Sequence, residues 1–168
     1  MAFRRLEPLA PETTVRLLIW GIMEVTILTI IVGIFGLILM GLLAILQFIA
    51  VIKPKSDWVI KNVYGSEPNI TDPKAFYAYN QGYAWADSLF WGPIQIIGSV
   101  GMLLGHRWGF LMALIGSVPF WYTGITIFIW DRDLGIRKPT FTYWVIVWGL
   151  WPAFGIFETL YCFVRLMG

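Results

Sequence analysis

Apolar residues are gathered into four long runs, and polar residues are concentrated between them. The runs cover residues 17–52, 84–104, 108–130 and 141–167. A helix needs about 20 consecutive apolar residues to cross a bilayer core, so every run is long enough to span a membrane. The pattern predicts an all-α fold, a polytopic transmembrane helix bundle with four spans, in which residues 1–168 form a single membrane domain.

The first run, residues 17–52, is too long for one straight crossing. It contains no proline, and Gly33, Gly36 and Gly41 are the helix-breaking residues in its interior. We expect one long, tilted helix that protrudes from the membrane. The alternative is a tight hairpin near Gly33 to Gly41, which would raise the number of spans to five.

The main polar segment, residues 53–83, separates the first two spans. Asp72 followed by Pro73 is typical of the cap and first turn of a helix. Aromatic side chains favour the headgroup zone of a bilayer. We therefore expect an aromatic interfacial segment that lies on the membrane. Its helix carries Phe76, Tyr77, Tyr79 and Tyr83.

The composition agrees with a membrane protein, since 58% of the 168 residues are hydrophobic and 13% are charged. Soluble domains have roughly 45–50% apolar and 25% charged residues. Lysine and arginine near the first span are divided equally between the two sides, so the positive-inside rule assigns no orientation. We expect a protein integral to a membrane, in contact with membrane lipids, with other membrane subunits or a second copy as further partners.

Several kinds of chemistry are excluded by residue counts. One cysteine, Cys162, leaves no internal disulfide and no Cys-x-x-Cys metal or redox motif. One histidine, His106, rules out haem ligation by two histidines of the same chain. The net charge is only +2 and forms no basic stripe, so no nucleic acid is expected. No metal and no cofactor is predicted, although a bound lipid or pigment would suit the bundle.

Charged residues inside the spans are the first candidates for function, because each is costly unless it is paired or hydrated. Glu24 and Glu158 qualify, and Glu158 lies seven residues before Arg165. A helix rises about 1.5 Å per residue, which places both carboxylates roughly 10–12 Å below the same membrane face. His106 and Arg107 belong to that face, so we expect all five residues to share one polar pocket. The alternatives are arginine pairing that holds the bundle together, or an interfacial position.

The fourth span has an aromatic face. Trp144, Trp148, Trp151 and Gly155 follow the three-and-four spacing of one helix face, which continues to Glu158. An aromatic wall that ends in a carboxylate suits an amphiphilic or cationic ligand, or a partner helix. Ordinary packing with an interfacial aromatic belt is the alternative.

Pro119 and Pro152 fall near the middle of their spans. Proline removes a backbone hydrogen bond and kinks a helix. We expect two kinks at similar depth, which either open a central cavity or only shape the packing.

Asp87 opens the second span on the other membrane side. We expect a structural role for it, paired with Arg132 or Lys138.

Three functions remain open on these grounds. The first is a non-catalytic accessory subunit of a membrane complex, or a binder of lipid or another hydrophobic small molecule. The second is a membrane enzyme that acts on a lipophilic substrate, with Glu24 or Glu158 as proton donor or acceptor. The third is a proton-coupled transporter of hydrophobic cations that uses the same carboxylates. We favour the first, and leave open whether the protein is an enzyme, because a fold does not imply a function.

Overall fold

The computed structural model describes residues 21–66, 72–134 and 141–168. Their helices are α1 (Ile27–Ile52), α2 (Asp57–Asn62), α3 (Pro73–Ala86), α4 (Gly92–Leu103), α5 (Arg107–Leu134), α6 (Phe141–Val145) and α7 (Trp151–Met167). Two π-helical segments, π1 (Asp87–Trp91) and π2 (Ile146–Leu150), join α3 to α4 and α6 to α7. These residues contain no β-strand, and the predicted all-α helix bundle is confirmed.

Three of the described helices are long and apolar enough to cross a membrane. They are residues 27–52, 107–132 and 146–167, with mean hydropathies of 2.8, 1.6 and 1.3. They match the first, third and fourth predicted spans. The second predicted span is the end of a continuous helix formed by α3, π1 and α4, in which Asp87 and Gln95 interrupt the apolar sequence. The described part of the chain is thus an integral membrane bundle.

The start of α1 is set by a threonine cap. Thr26 Oγ1 accepts a hydrogen bond from the Thr29 amide at 3.1 Å, and Thr29 Oγ1 accepts one from the Thr26 amide at 3.2 Å. This reciprocal capping satisfies two amides that the first helical turn leaves unpaired. Residues 21–26 are therefore not helical, unlike the prediction, and residues 17–20 lie outside the described residues. The rest of α1 is one uninterrupted helix without a hairpin.

Helices α4 and α5 approach closely because small residues face each other. A β-carbon at Gly98 would lie 2.9 Å from the Ala113 Cα. A β-carbon at Gly101 would lie 2.6 Å from the Gly109 Cα. The turn between the helices contains Gly105 with φ of 72°, a left-handed conformation that favours glycine. Small residues at a helix interface are a common packing device in membranes.

One end of the bundle, called here the C-terminal end because α7 finishes there, is closed by backbone hydrogen bonds. The Met23 amide donates to the Gly105 carbonyl at 2.7 Å, and the Arg107 amide donates to the Gly21 carbonyl at 3.0 Å. The Arg107 side chain donates to the Leu166 carbonyl at 2.7 Å. The chain before α1, the α4–α5 turn and the end of α7 therefore meet.

The segment between α1 and α4 forms a second hydrophobic core at the opposite end of the bundle. Asp72 caps α3 by accepting from the Ala75 amide at 3.1 Å, and Pro73 occupies the first turn, as predicted. Tyr64 and Phe76 are both buried against α1 and α2. Phe76 of the predicted aromatic segment therefore packs inside the protein and does not face a membrane surface. The buried residues of this core are Ala50, Val59, Ile60, Tyr64, Phe76 and Ala84.

Candidate functional site

A carboxylate–amide pair lies in the centre of the bundle. Glu158 of α7 and Gln95 of α4 have no exposed surface. Gln95 Nε2 donates to both Glu158 oxygens, at 2.7 and 2.9 Å, and lies 3.5 Å from Ser99 Oγ. No cationic side chain among the described residues contacts Glu158. A neutral amide is therefore the partner of the most deeply buried carboxylate.

Two glycines provide the space for this pair. A β-carbon at Gly36 of α1 would lie 3.0 Å from Gln95 Nε2 and 3.2 Å from Glu158 Oε1. A β-carbon at Gly116 of α5 would overlap Gln95 Oε1. That oxygen is buried and has no hydrogen-bond partner among the described atoms. Helices α1, α4, α5 and α7 therefore converge around one sealed polar centre.

Two arginines contact the backbone at the C-terminal end. The Arg165 guanidinium donates to the Glu24 backbone carbonyl and lies 5.5 Å from the centroid of the Phe110 ring. Arg107 donates to the Leu166 carbonyl. The Glu24 side chain is exposed. Arg165 thus binds the segment before α1, and Arg107 binds the end of α7.

The five residues of the predicted pocket are divided between two places. Glu24, Arg107, Arg165 and His106 lie at the C-terminal end, where the His106 ring is stacked 5.6 Å from that of Trp108. Glu158 lies deeper, because the seven residues that separate it from Arg165 span about 10 Å of helix. The structure therefore brings Glu24, His106, Arg107 and Arg165 to one end of the bundle. It places Glu158 beside Gln95 in the centre.

The predicted aromatic face of the fourth span contributes mainly to packing between α5 and the segment from α6 to α7. The Trp144 and Trp148 rings are 5.4 Å apart, and the Trp151 ring lies 6.4 Å from that of Phe120. A β-carbon at Gly155 would lie 2.6 Å from the Phe120 Cβ, so α7 lies close to α5 there. Trp144 is 52% exposed, whereas Trp151 lines a cavity.

Prolines explain the two π-helical segments. Pro93 follows π1 and Pro152 follows π2, and neither has an amide hydrogen to donate to the carbonyl four residues earlier. The residue before each proline instead bonds to the carbonyl five residues back, as Gly92 does to Asp87. Pro152 therefore alters the helix at π2. Pro119, the other predicted kink, lies inside α5, which continues past it.

A partly open cavity of about 40 Å³ lies at the end of the bundle opposite the C-terminal end. Both π segments contribute to its walls. A cavity of this size with several polar partners holds a few water molecules or a small polar group. Its polar and aromatic lining residues are Gln47, Tyr64, Asn80, Tyr83, Asp87, Thr123 and Trp151.

Three polar groups in the cavity wall have no internal partner. The Asp87 carboxylate makes no hydrogen bond or ion pair with the described residues. It is not paired with Arg132, and Lys138 lies outside the described residues. Gln47 Oε1 and Trp151 Nε1 are also buried without a partner among the described atoms. Because buried polar groups are nearly always hydrogen-bonded, these unpartnered groups make the cavity a candidate binding site.

Tyr64 forms a neutral part of the cavity wall. Its hydroxyl accepts a hydrogen bond from Gln81 Nε2 at 2.9 Å and donates to the Ala50 carbonyl at 3.5 Å. Burial raises the pKa of Tyr64 above its usual value, and the hydrogen bond from Gln81 opposes that rise. The hydroxyl therefore remains protonated at neutral pH.

Sequence reasoning missed Gln95 and Gln47, and it gave Asp87 only a structural role. All three are polar residues inside apolar runs. The sequence suggested cationic partners for Glu158, whereas its partner in the structure is an amide. A signal was present in Gln95 and Ser99, which lie four residues apart on one helix face.

No protein-family model, curated protein or solved structure matches the chain. Within the residues that the structure describes, no group of three His, Cys, Asp or Glu side chains is placed to hold a metal ion.

Proposed function

We propose that this integral membrane protein binds a lipid or another hydrophobic small molecule, whose polar end enters the cavity beside Asp87. The observation that carries the proposal is the partly open cavity with unpartnered polar groups in its wall. Ionisable residues inside membrane helices are rare and usually mark binding sites or pathways. In an apolar bundle, such a cavity is the place where a ligand would be held.

The segments that line the cavity also carry apolar side chains on the bundle surface, which suit the remainder of an amphiphilic molecule. Segments π1 and π2 contribute Asp87 and Val147 to the cavity wall. The same segments expose Leu89, Phe90 and Leu150 on their outer faces. A ligand with a polar head in the cavity would thus have apolar side chains of the same two segments available to its tail.

The enzyme and transporter alternatives gain less support from Glu158. A catalytic or proton-coupling carboxylate must be reached by substrate or water. Glu158 has no exposed surface and does not line the cavity. Its contacts support a structural role that joins α4 to α7.

A pair of valine substitutions tests the proposal. Val147 is buried in the cavity wall, whereas Val145, two residues earlier, is 44% exposed. We expect wild-type protein and Val145→Phe to retain an extractable lipid or hydrophobic molecule after purification in mild detergent. Val147→Phe fills the cavity and should lose it. Mass spectrometry of organic extracts makes the comparison, with helical content measured by circular dichroism.

The result that would overturn the proposal is equal retention by the two valine variants, or no bound molecule in the wild-type protein. Equal circular dichroism spectra ensure that loss of ligand is not loss of fold.

A further inference from the structure

The charge of the cavity wall favours a cation. Asp87 contributes the carboxylate of this lining, and no described cationic side chain contacts it. A carboxylate that is removed from bulk water without a partner is costly, and either protonation or a bound cation offsets the cost. The Tyr83 and Trp151 side chains in the same lining add aromatic rings, which attract cations through their faces.

The hydrogen-bond inventory narrows the kind of cation. Asp87 lines the cavity and offers two acceptor oxygens, whereas Gln47 Oε1 and the Trp151 Nε1 donor have almost no accessible surface. A primary ammonium group has three N–H donors and no acceptor, as in lysine. A hydroxyl group has one donor, and a quaternary ammonium group has none. The two Asp87 oxygens are therefore matched best by a primary amine in its charged form.

We infer that the cavity receives the primary ammonium group of an amphiphilic amine, with Asp87 as counter-ion. This inference rests on the proposed ligand-binding function and names the chemistry of the ligand head. The small volume of the cavity, about 40 Å³, accommodates such a head while the apolar tail stays outside.

The inference is tested with three soluble probes that share one tail. Hexylamine, hexanol and hexyltrimethylammonium are titrated into the full chain in phosphatidylcholine nanodiscs, whose own lipid head has no N–H donor. Binding is measured by calorimetry and by the shift in unfolding temperature. The variant Asp87→Asn keeps the size of the side chain and removes its charge. Asp57→Asn removes an exposed carboxylate outside the cavity and is the matched control.

We expect hexylamine to bind most tightly, and Asp87→Asn to weaken it by about 10- to 100-fold, the loss expected for a charge-assisted hydrogen bond. Asp57→Asn should bind hexylamine as the wild-type protein does. Equal binding of hexylamine and hexyltrimethylammonium would overturn the assignment of a primary amine.

Failure of this inference can be distinguished from failure of the proposed function. If hexanol binds as tightly as hexylamine and Asp87→Asn has no effect, the amine assignment is wrong and the cavity still binds hydrophobic molecules. If no probe binds and no molecule is extracted from the purified protein, both proposals are wrong.

Discussion

Gln95 Nε2 donates to both carboxylate oxygens of Glu158, at 2.7 and 2.9 Å, across the interface between α4 and α7. The same contact leaves Gln95 Oε1 without a partner among the described atoms. Polar groups within a bilayer core have no water with which to form hydrogen bonds. The pair therefore fixes how α4 and α7 face each other, since any rotation of either helix would separate two groups that have few alternative partners.

Substitution of Glu158 measures this contact. Glu158→Gln can accept from Gln95 Nε2 and also donate to Gln95 Oε1, so we expect it to be about as stable as the wild-type protein. Glu158→Ala leaves the Gln95 amide unpaired beside a void, and should lower the free energy of unfolding by about 3 kcal/mol. Equilibrium unfolding of the three proteins in the same lipid–detergent mixture gives the values.

The matched control for these substitutions is Glu24→Gln, because the Glu24 side chain is exposed at the C-terminal end. It should leave the free energy of unfolding unchanged. If Glu158→Gln proves as damaging as Glu158→Ala, the negative charge itself is required at this position and the hydrogen-bonding explanation fails.

Part of this centre could not be derived from the sequence. Gln95 and Glu158 are 63 residues apart, and their contact depends on the rotation of two helices about their axes. Hydrophobic periodicity defines which face of a helix is apolar, but both residues lie within predominantly apolar runs that give weak rotational information. The Asp72–Pro73 signal, in contrast, is local, and it correctly predicted the start of α3.

The shared pocket of Glu24 and Glu158 was predicted by counting residues from the membrane face. That count assumes a helix at both positions. Thr26 caps α1, so Glu24 precedes the helix and its side chain is exposed. A threonine pair at positions 26 and 29 was the available signal, although threonine in place of the usual glutamate or glutamine makes a capping box harder to recognise.

Two glycines of α1 provide a second test. A β-carbon at Gly36 would lie 3.0 Å from both Gln95 Nε2 and Ser99 Oγ, whereas one at Gly41 would meet nothing within 4 Å. We expect Gly36→Ala to lower the free energy of unfolding by about 1–3 kcal/mol, because the added methyl group overpacks the centre. Gly41→Ala should be neutral or stabilising by up to about 1 kcal/mol, since alanine favours the helix.

Denaturant or thermal unfolding in nanodiscs compares the two alanine variants directly. Equal stability of the variants would show that α1 does not pack closely against the Gln95–Glu158 pair.

Cys162 is a natural reporter of opening of the bundle. It has no exposed surface, and its Sγ lies 3.6 Å from Met102 Sδ. A buried thiol reacts only when the structure opens.

We expect maleimide to label Cys162 of the native protein at least about tenfold more slowly than Cys162 of the protein unfolded in SDS. A Cys162→Ser, Gly168→Cys double variant, with the thiol at an exposed position, is the control and should react rapidly in both states. Rapid labelling of native wild-type protein would contradict the packing of α7.

The π1 segment predicts an unusual tolerance to deletion. A π turn closes its hydrogen bonds over five residues in place of four, so it accommodates one residue more than an α-helix. Removing that residue would restore a regular helix without rotating α3 relative to α4. Phe90 is 63% exposed within π1 and can be deleted without loss of a buried contact. Pro93→Ala must accompany the deletion, because proline would clash with the carbonyl four residues earlier in a regular helix.

We expect the variant with Phe90 deleted and Pro93→Ala to fold and to keep its free energy of unfolding within about 2 kcal/mol of the wild-type value, since residues that pack α3 and α4 retain their orientation. Deletion of Ile38, 56% exposed in the regular helix α1, is the matched control. It rotates one half of α1 by about 100° against the other, which turns its packed face away from α4. Circular dichroism and unfolding in lipid compare the two deletions. If both are equally damaging, π1 is not an insertion into an otherwise regular helix.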